Sequence, residues 1–246
     1  MKIRLYLFCA MTGGLLAPHF AHAGPADYVY TPIVVQGERE IDFKMGTSKL
    51  ENTPRESAAS LGFGYGASEN WFTELYVKYK RENDEATFYD AVEWENKLQL
   101  TETGAYPVDM GLLVEVERPT NHAEGWEVKW GPLFQSQFGK TVLNANLLFQ
   151  RNYQAEAPSG AIMQYQWQAK YLWQRSLDIG LQGFGEVGQW DHWEPTSERP
   201  NQAGPAIFGK ILLGGRKVIQ YNAAWLLGTS TAAPDNTFRM QVEYEF

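Results

Sequence analysis

The sequence predicts an all-β protein: a closed, antiparallel transmembrane β-barrel of about twelve strands. Three observations lead there. Beyond residue 37 the apolar residues recur with period two, the spacing of strands and not of helices. The connections alternate between short turns and longer polar loops, as hairpins of a barrel do. Aromatic residues make up 14% of a chain that is nevertheless polar on average. That combination excludes a helical membrane bundle and suits strands with one face toward lipid and one toward a polar lumen.

The elements follow in chain order. Met1, Lys2 and Arg4 form a basic start, and residues 5–16 are mostly apolar. Ala21-His22-Ala23 closes the segment with a small-x-small pattern, so residues 1–23 read as a secretory signal peptide cut near Ala23. The apolar part is shorter than the roughly 20 residues a spanning helix needs. The sole cysteine, Cys9, lies inside this segment behind bulky Phe8, so the mature chain is expected to have neither disulfides nor thiolate metal sites. Loss of Lys2 and Arg4 leaves 19 basic against 29 acidic residues, a net charge of −10, which argues against nucleic acid as a partner.

Residues 24–36, with Pro25, Pro32 and Val34-Val35, form a periplasmic leader: a tether, a lumen plug or an ordered lead-in. The barrel occupies 37–246. Strands are expected near 38–46, 57–67, 71–80, 88–100, 109–117, 126–138, 141–152, 162–174, 177–190, 205–213, 218–228 and 237–246. Leu61, Phe63 and Tyr65 alternate with Gly62, Gly64 and Gly66. Met163, Tyr165, Trp167 and Tyr171 alternate with Gln164, Gln166, Gln168 and Lys170. The ninth and tenth strands are rich in glycine and alternate weakly. Pro132 lacks an amide hydrogen and predicts a bulge or irregular edge in the sixth. Short connections follow the even strands and longer ones the odd strands, which puts both termini in the periplasm; only 101–108 is long on that side. Ten or fourteen strands are the competing counts. A soluble sandwich with its apolar faces inward is the competing fold.

In the last strand Phe238, Met240, Val242, Tyr244 and Phe246 share one face, while Arg239, Gln241, Glu243 and Glu245 share the other. The ending Tyr244-Glu245-Phe246, with Met240 and Val242 before it, resembles the terminal strand signal of Gram-negative outer-membrane β-barrel proteins. The resemblance covers the mature chain as an architecture and identifies no narrower family. It implies location in the cell outer membrane, with outer-membrane lipid and lipopolysaccharide around the barrel. It also implies recognition of Tyr244 and Phe246 by the barrel-assembly machinery.

The candidate functional residues are those assigned to the lumen by alternation: Asp42, Lys44, Glu74, Lys78, Glu93, Glu95, Lys97, Glu115, Glu117, Gln164, Gln166, Gln168, Lys170, Arg239, Glu243 and Glu245. Such groups are tolerated inside only when paired or wet. They therefore describe either a hydrogen-bonded plug or a water-filled path whose acidic walls favour cations. Trp71, Trp94, Trp126, Trp130, Trp173, Trp190 and Trp193 read as interfacial girdles near strand ends. The acidic loop 81–85 offers carboxylates for cation bridges to lipopolysaccharide, or is simply solvated. The only mature histidines, His122 and His192, fall in predicted external loops, and neither sits on a strand beside a serine. No catalytic residue, cofactor or metal site is assigned. The expected function is passive passage of small polar or cationic solutes. A closed surface barrel presenting its loops, and a lipid-modifying barrel enzyme, are the alternatives.

Overall fold

The computed structural model describes residues 24–50, 53–82, 86–158 and 160–246; the predicted signal peptide lies outside these. Thirteen strands form one antiparallel sheet: β1 (Arg39–Lys49), β2 (Glu56–Gly66), β3 (Trp71–Arg81), β4 (Phe88–Gln99), β5 (Asp109–Pro119), β6 (Trp126–Phe138), β7 (Thr141–Tyr153), β8 (Ile162–Gln174), β9 (Leu177–Gln189), β10 (His192–Trp193), β11 (Asn201–Gly214), β12 (Lys217–Gly228) and β13 (Asn236–Glu245). Twelve of them close into a barrel. Its seam is the ladder between β1 and β13, where Ile41 faces Tyr244 and Met45 faces Met240. Closure satisfies both edges of every strand, which a sheet in hydrocarbon requires. The thirteenth, β10, is a two-residue strand that folds back on β9, so β9 pairs onward with β11.

Alternation fixes which side is which. Along β1, Ile41, Phe43 and Met45 point outward, while Asp42 and Lys44 are buried inside. Phe63 and Leu75 are each 54% exposed on the outer wall, whereas Asp42 is 1% exposed. A soluble sandwich would show the reverse. Among the described residues no helix is long and apolar enough to cross a membrane.

Of the two expected outcomes at Pro132, a bulge or an irregular edge, the structure shows no bulge but a break in the pairing with β7. Pro132 keeps register with Leu112 of β5, and the ladder to β7 is in the same register on both sides of Gly131-Pro132. The lost donor is absorbed by a local gap in pairing. The register shifts fall elsewhere, at Lys78/Tyr79, Met163/Gln164, Tyr171/Gln174 and Leu212/Gly214. The glycines of β9 have a packing reason. A Cβ on Gly183 would sit 2.4 Å from the Trp167 indole, and one on Gly185 would sit 2.4 Å from the Tyr165 ring. Large outward rings on β8 lie flat across a bare backbone on β9, which is why that strand alternates so weakly in sequence.

Candidate functional site

The site is the barrel interior, and the chain itself fills it. Residues 24–36 run as an extended strap through the lumen, entering from the short-turn end where Gly37 reverses the backbone at φ 77°. The Gly37 amide donates to the Gly66 carbonyl at 2.8 Å, and Gly66 donates to Glu38 at 2.9 Å. Inward glycines make room for the strap. A Cβ on Gly66 would lie 2.0 Å from the Val35 carbonyl, one on Gly111 2.9 Å from Pro32, and one on Gly46 1.7 Å from the Pro25 carbonyl. The strap therefore runs antiparallel to β1, from the level of Gly46 down to Gly66.

An extended segment points alternate side chains to opposite sides, and the lumen has two unlike walls to receive them. Tyr28 and Tyr30 face a charged wall built by β1 and β3 to β6. The Tyr28 hydroxyl donates to Glu95 Oε2 at 2.5 Å, and the Tyr30 hydroxyl donates to Glu115. Lys129 pairs with Glu115 at 3.1 Å, Lys78 with Glu93 at 3.0 Å and with Glu117 at 2.5 Å, and Lys97 approaches Glu95 at 3.9 Å. The Lys44 ammonium, 3.3 Å from Asp42, lies between the Tyr28 and Tyr76 rings at 3.4 and 3.7 Å from their centroids. Tyr76 and Gln241 both donate to the same Asp42 oxygen, at 2.7 and 3.0 Å. Between the two strap tyrosines, Val29 faces the other way, into an apolar wall of Phe184, Ala206, Phe208, Ala224 and Leu226 on β9, β11 and β12.

A third sector is an amide ladder. Gln164 donates to Gln150, Gln168 to Asn144 and Gln182 to Gln168, each at 3.0 Å, while Asn146 donates to Gln166 and to the Tyr30 carbonyl at 3.2 Å. Repeated Asn and Gln at every second position place one amide per strand at a common height, so each can both donate and accept. Near the short-turn end Gln99 accepts from the Val34 amide at 2.7 Å and holds the strap's lower part.

The comparisons with known proteins bear on this architecture alone. No family model and no curated protein matches the sequence. Among solved structures, an outer membrane channel from Pseudomonas putida F1 aligns over 89% of this chain and 97% of its own, with a TM-score of 0.52 and 12% identity. The fold is that of Gram-negative outer-membrane β-barrels. Two further likenesses are looser: the translocator domain of the autotransporter NalP from Neisseria meningitidis (TM-score 0.48, 12% identity, 86% of this chain and 89% of that one), and outer membrane phospholipase A from Escherichia coli (0.41, 13%, 89% and 91%).

In this outer-membrane barrel the sixteen lumen candidates lie on the inner side of their strands. Asp42, Lys44, Glu74, Glu93, Glu95, Glu115, Gln164, Gln166, Gln168 and Arg239 are buried; Lys78, Lys97, Glu117, Lys170, Glu243 and Glu245 are half-buried. Glu95 and Glu115 face each other across the β4–β5 ladder, and each accepts from one strap tyrosine. Gln164, Gln166 and Gln168 belong to the amide ladder, and Lys170 lies 5.5 Å from the Phe208 ring. Glu243 accepts from Gln241 at 2.7 Å, and Glu245 accepts from Gln220 at the barrel end. Arg239 sits over the Phe184 ring at 5.0 Å and donates to Asn222 at 3.4 Å, while its Nε and Nη1 lack a hydrogen-bond partner among the described residues. Tyr244 and Phe246 stack outside, with ring centroids 5.5 Å apart.

The residues sequence reasoning missed are the apolar inward ones. Leu113, Leu133 and Leu148 are fully buried against Tyr28 and Tyr30. The signal was present: Leu113 breaks the alternation of β5 and Leu148 that of β7, both on the lumen side. Trp94 is not near a strand end. It lies mid-strand, and its indole N–H is satisfied by Thr73 at 2.8 Å. His122 and His192 are exposed at the long-loop end, and Glu124 beside His122 accepts from Asn121 at 2.8 Å. Carboxylate oxygens of Glu93, Glu95 and Glu115 lie within 4.8 Å of one another, close enough to share a cation; the three lysines beside them already supply balancing charge.

Proposed function

We propose that this outer-membrane barrel is a passive channel for small polar or cationic solutes, held closed in the described state by the strap. The observation that carries the reading is that a chain segment, residues 24–36, occupies the lumen beside a wall of buried charges. With the signal peptide removed after Ala23, the strap is attached only at the Gly37 hinge. A wall of buried carboxylates and amines is costly beside apolar packing of the same volume. It is suited to water once the strap withdraws, and acidic walls favour cations. No catalytic residue, cofactor or metal is assigned to this function.

Conductance tests the reading. The full chain in planar bilayers is expected to show rare openings, and Tyr28→Ala/Tyr30→Ala, which removes both phenol–carboxylate bonds, is expected to show persistent cation-selective steps. Silence from both proteins would reject a channel. That silence is the outcome expected of a second reading, a closed barrel that presents its loops outside. The tight fit of strap to wall favours that one: a cavity beside Asp27, Lys44 and Asp90 holds only about 50 Å³, room for a few waters.

A further inference from the structure

We infer that the lumen is a binding site for small phenolic solutes, and that such solutes open the barrel by taking the places of Tyr28 and Tyr30. The inference rests on the channel reading above and names its ligand class. What the charged wall recognises in the strap is chiefly a phenol. Each of the two rings gives its hydroxyl hydrogen to its own buried carboxylate, Glu95 or Glu115, which are 0% and 2% exposed. The rings lie side by side, 4.4 Å between centroids, on a floor of Leu113, Leu133 and Leu148. The Lys44 ammonium covers the face of the Tyr28 ring at 3.4 Å, a cation–π contact that strengthens when desolvated. The wall repeats the arrangement with a ring of its own, since Tyr76 donates to Asp42 and packs against the same ammonium.

The strap's backbone between these rings contributes less. The Tyr30 carbonyl accepts from Asn146, and the Val34 amide donates to Gln99; both amides belong to the wall and have other partners. A free phenol thus carries the groups the two places read: a flat ring for the leucines and the ammonium, and one hydroxyl donor for a carboxylate. A simple cation lacks the ring, and an alkylbenzene lacks the donor. Removing a hydroxyl that is hydrogen-bonded to a charged group weakens binding by about tenfold or more.

The test uses the full chain in lipid vesicles and planar bilayers, with 4-ethylphenol, ethylbenzene and ethylammonium as probes. Hydrogen exchange of the backbone amides at 26–34 reports strap displacement, and current reports opening. With 4-ethylphenol, exchange should rise and openings lengthen; ethylbenzene at equal membrane partitioning, and ethylammonium, should do neither. In Tyr28→Phe/Tyr30→Phe, where the strap keeps its rings but not its donors, the 4-ethylphenol midpoint should fall by about tenfold or more. Equal potency of ethylbenzene would overturn the inference in favour of a merely apolar slot, and potency of ethylammonium alone would overturn it in favour of a cation site. No effect of 4-ethylphenol on exchange would also overturn it. Raised exchange without current upholds the phenol site while rejecting the channel. Current from Tyr28→Ala/Tyr30→Ala, together with strap exchange in the full chain that 4-ethylphenol leaves unchanged, upholds the channel and rejects the site.

Discussion

Lys129 and Glu115 show what a single lumen residue contributes. Both are buried, they meet at 3.1 Å, and Glu115 also accepts from Tyr30. Removing one partner of such a pair strands the other charge, which costs about 3–5 kcal/mol, whereas replacing both by well-packed apolar groups is close to neutral. Lys129→Met is therefore expected to lose about 3–5 kcal/mol in urea unfolding from micelles, and Lys129→Met/Glu115→Leu to regain most of it. Equal loss in both variants would mean that packing, and not charge, governs this position. Gly46 is a different kind of residue. A methyl group there would collide with the Pro25 backbone, so Gly46→Ala should expel the upper strap while the barrel stays folded. Protease sensitivity at 24–30, with an unchanged heat-dependent gel shift, is the expected pattern; a strap that remains protected would contradict it.

At the scale of the element, the strands were legible in sequence and the strap's place was not. β6 and β8 begin and end where alternation put them, because every second residue of a barrel strand answers to lipid or to lumen. β11 starts at Asn201, earlier than the expected 205, because Asn201 to Gly204 pair with β9 despite offering little apolar contrast. The two-residue β10 carries no periodicity and could not have been read. Period two assigns Asp42 and Glu115 to the inside, yet says nothing about whom they meet there. Some of their partners come from far along the chain, 85 positions for Tyr30 and Glu115 and 199 for Asp42 and Gln241. The row of bare inward positions Gly62, Gly64 and Gly66 was the available hint that something occupies the interior beside β2. For β9, the rings of Trp167 and Tyr165 lie where a Cβ would stand. Gly183→Ala is expected to cost about 1–3 kcal/mol by overpacking, with a shift in tryptophan emission as the Trp167 ring lifts. An unshifted spectrum would show the ring to be placed by something else.

The whole molecule is two-sided in the sense a bilayer demands: an interior that holds the buried charges and amides, and an outer wall rich in Ile, Leu, Phe and Trp. Leu75, midway along β3 and beside Trp94, stands on that outer wall. Leu75→Arg should destabilise the barrel in lipid by about 2–4 kcal/mol, the cost of a charge near the bilayer midplane. The same change in a water-soluble particle would be nearly neutral, so unfolding from vesicles separates the two. The strap turns the closed wall into a directional object. It passes Gly46 at Pro25, only a few residue steps below the rim that bears the long loops, and runs down to Gly37. With cleavage at the expected site near Ala23, an epitope inserted just ahead of Gly24 is expected to emerge on the side opposite to the hinge, where an antibody added to intact cells should reach it. The same label placed after Phe246 should stay hidden until the envelope is broken.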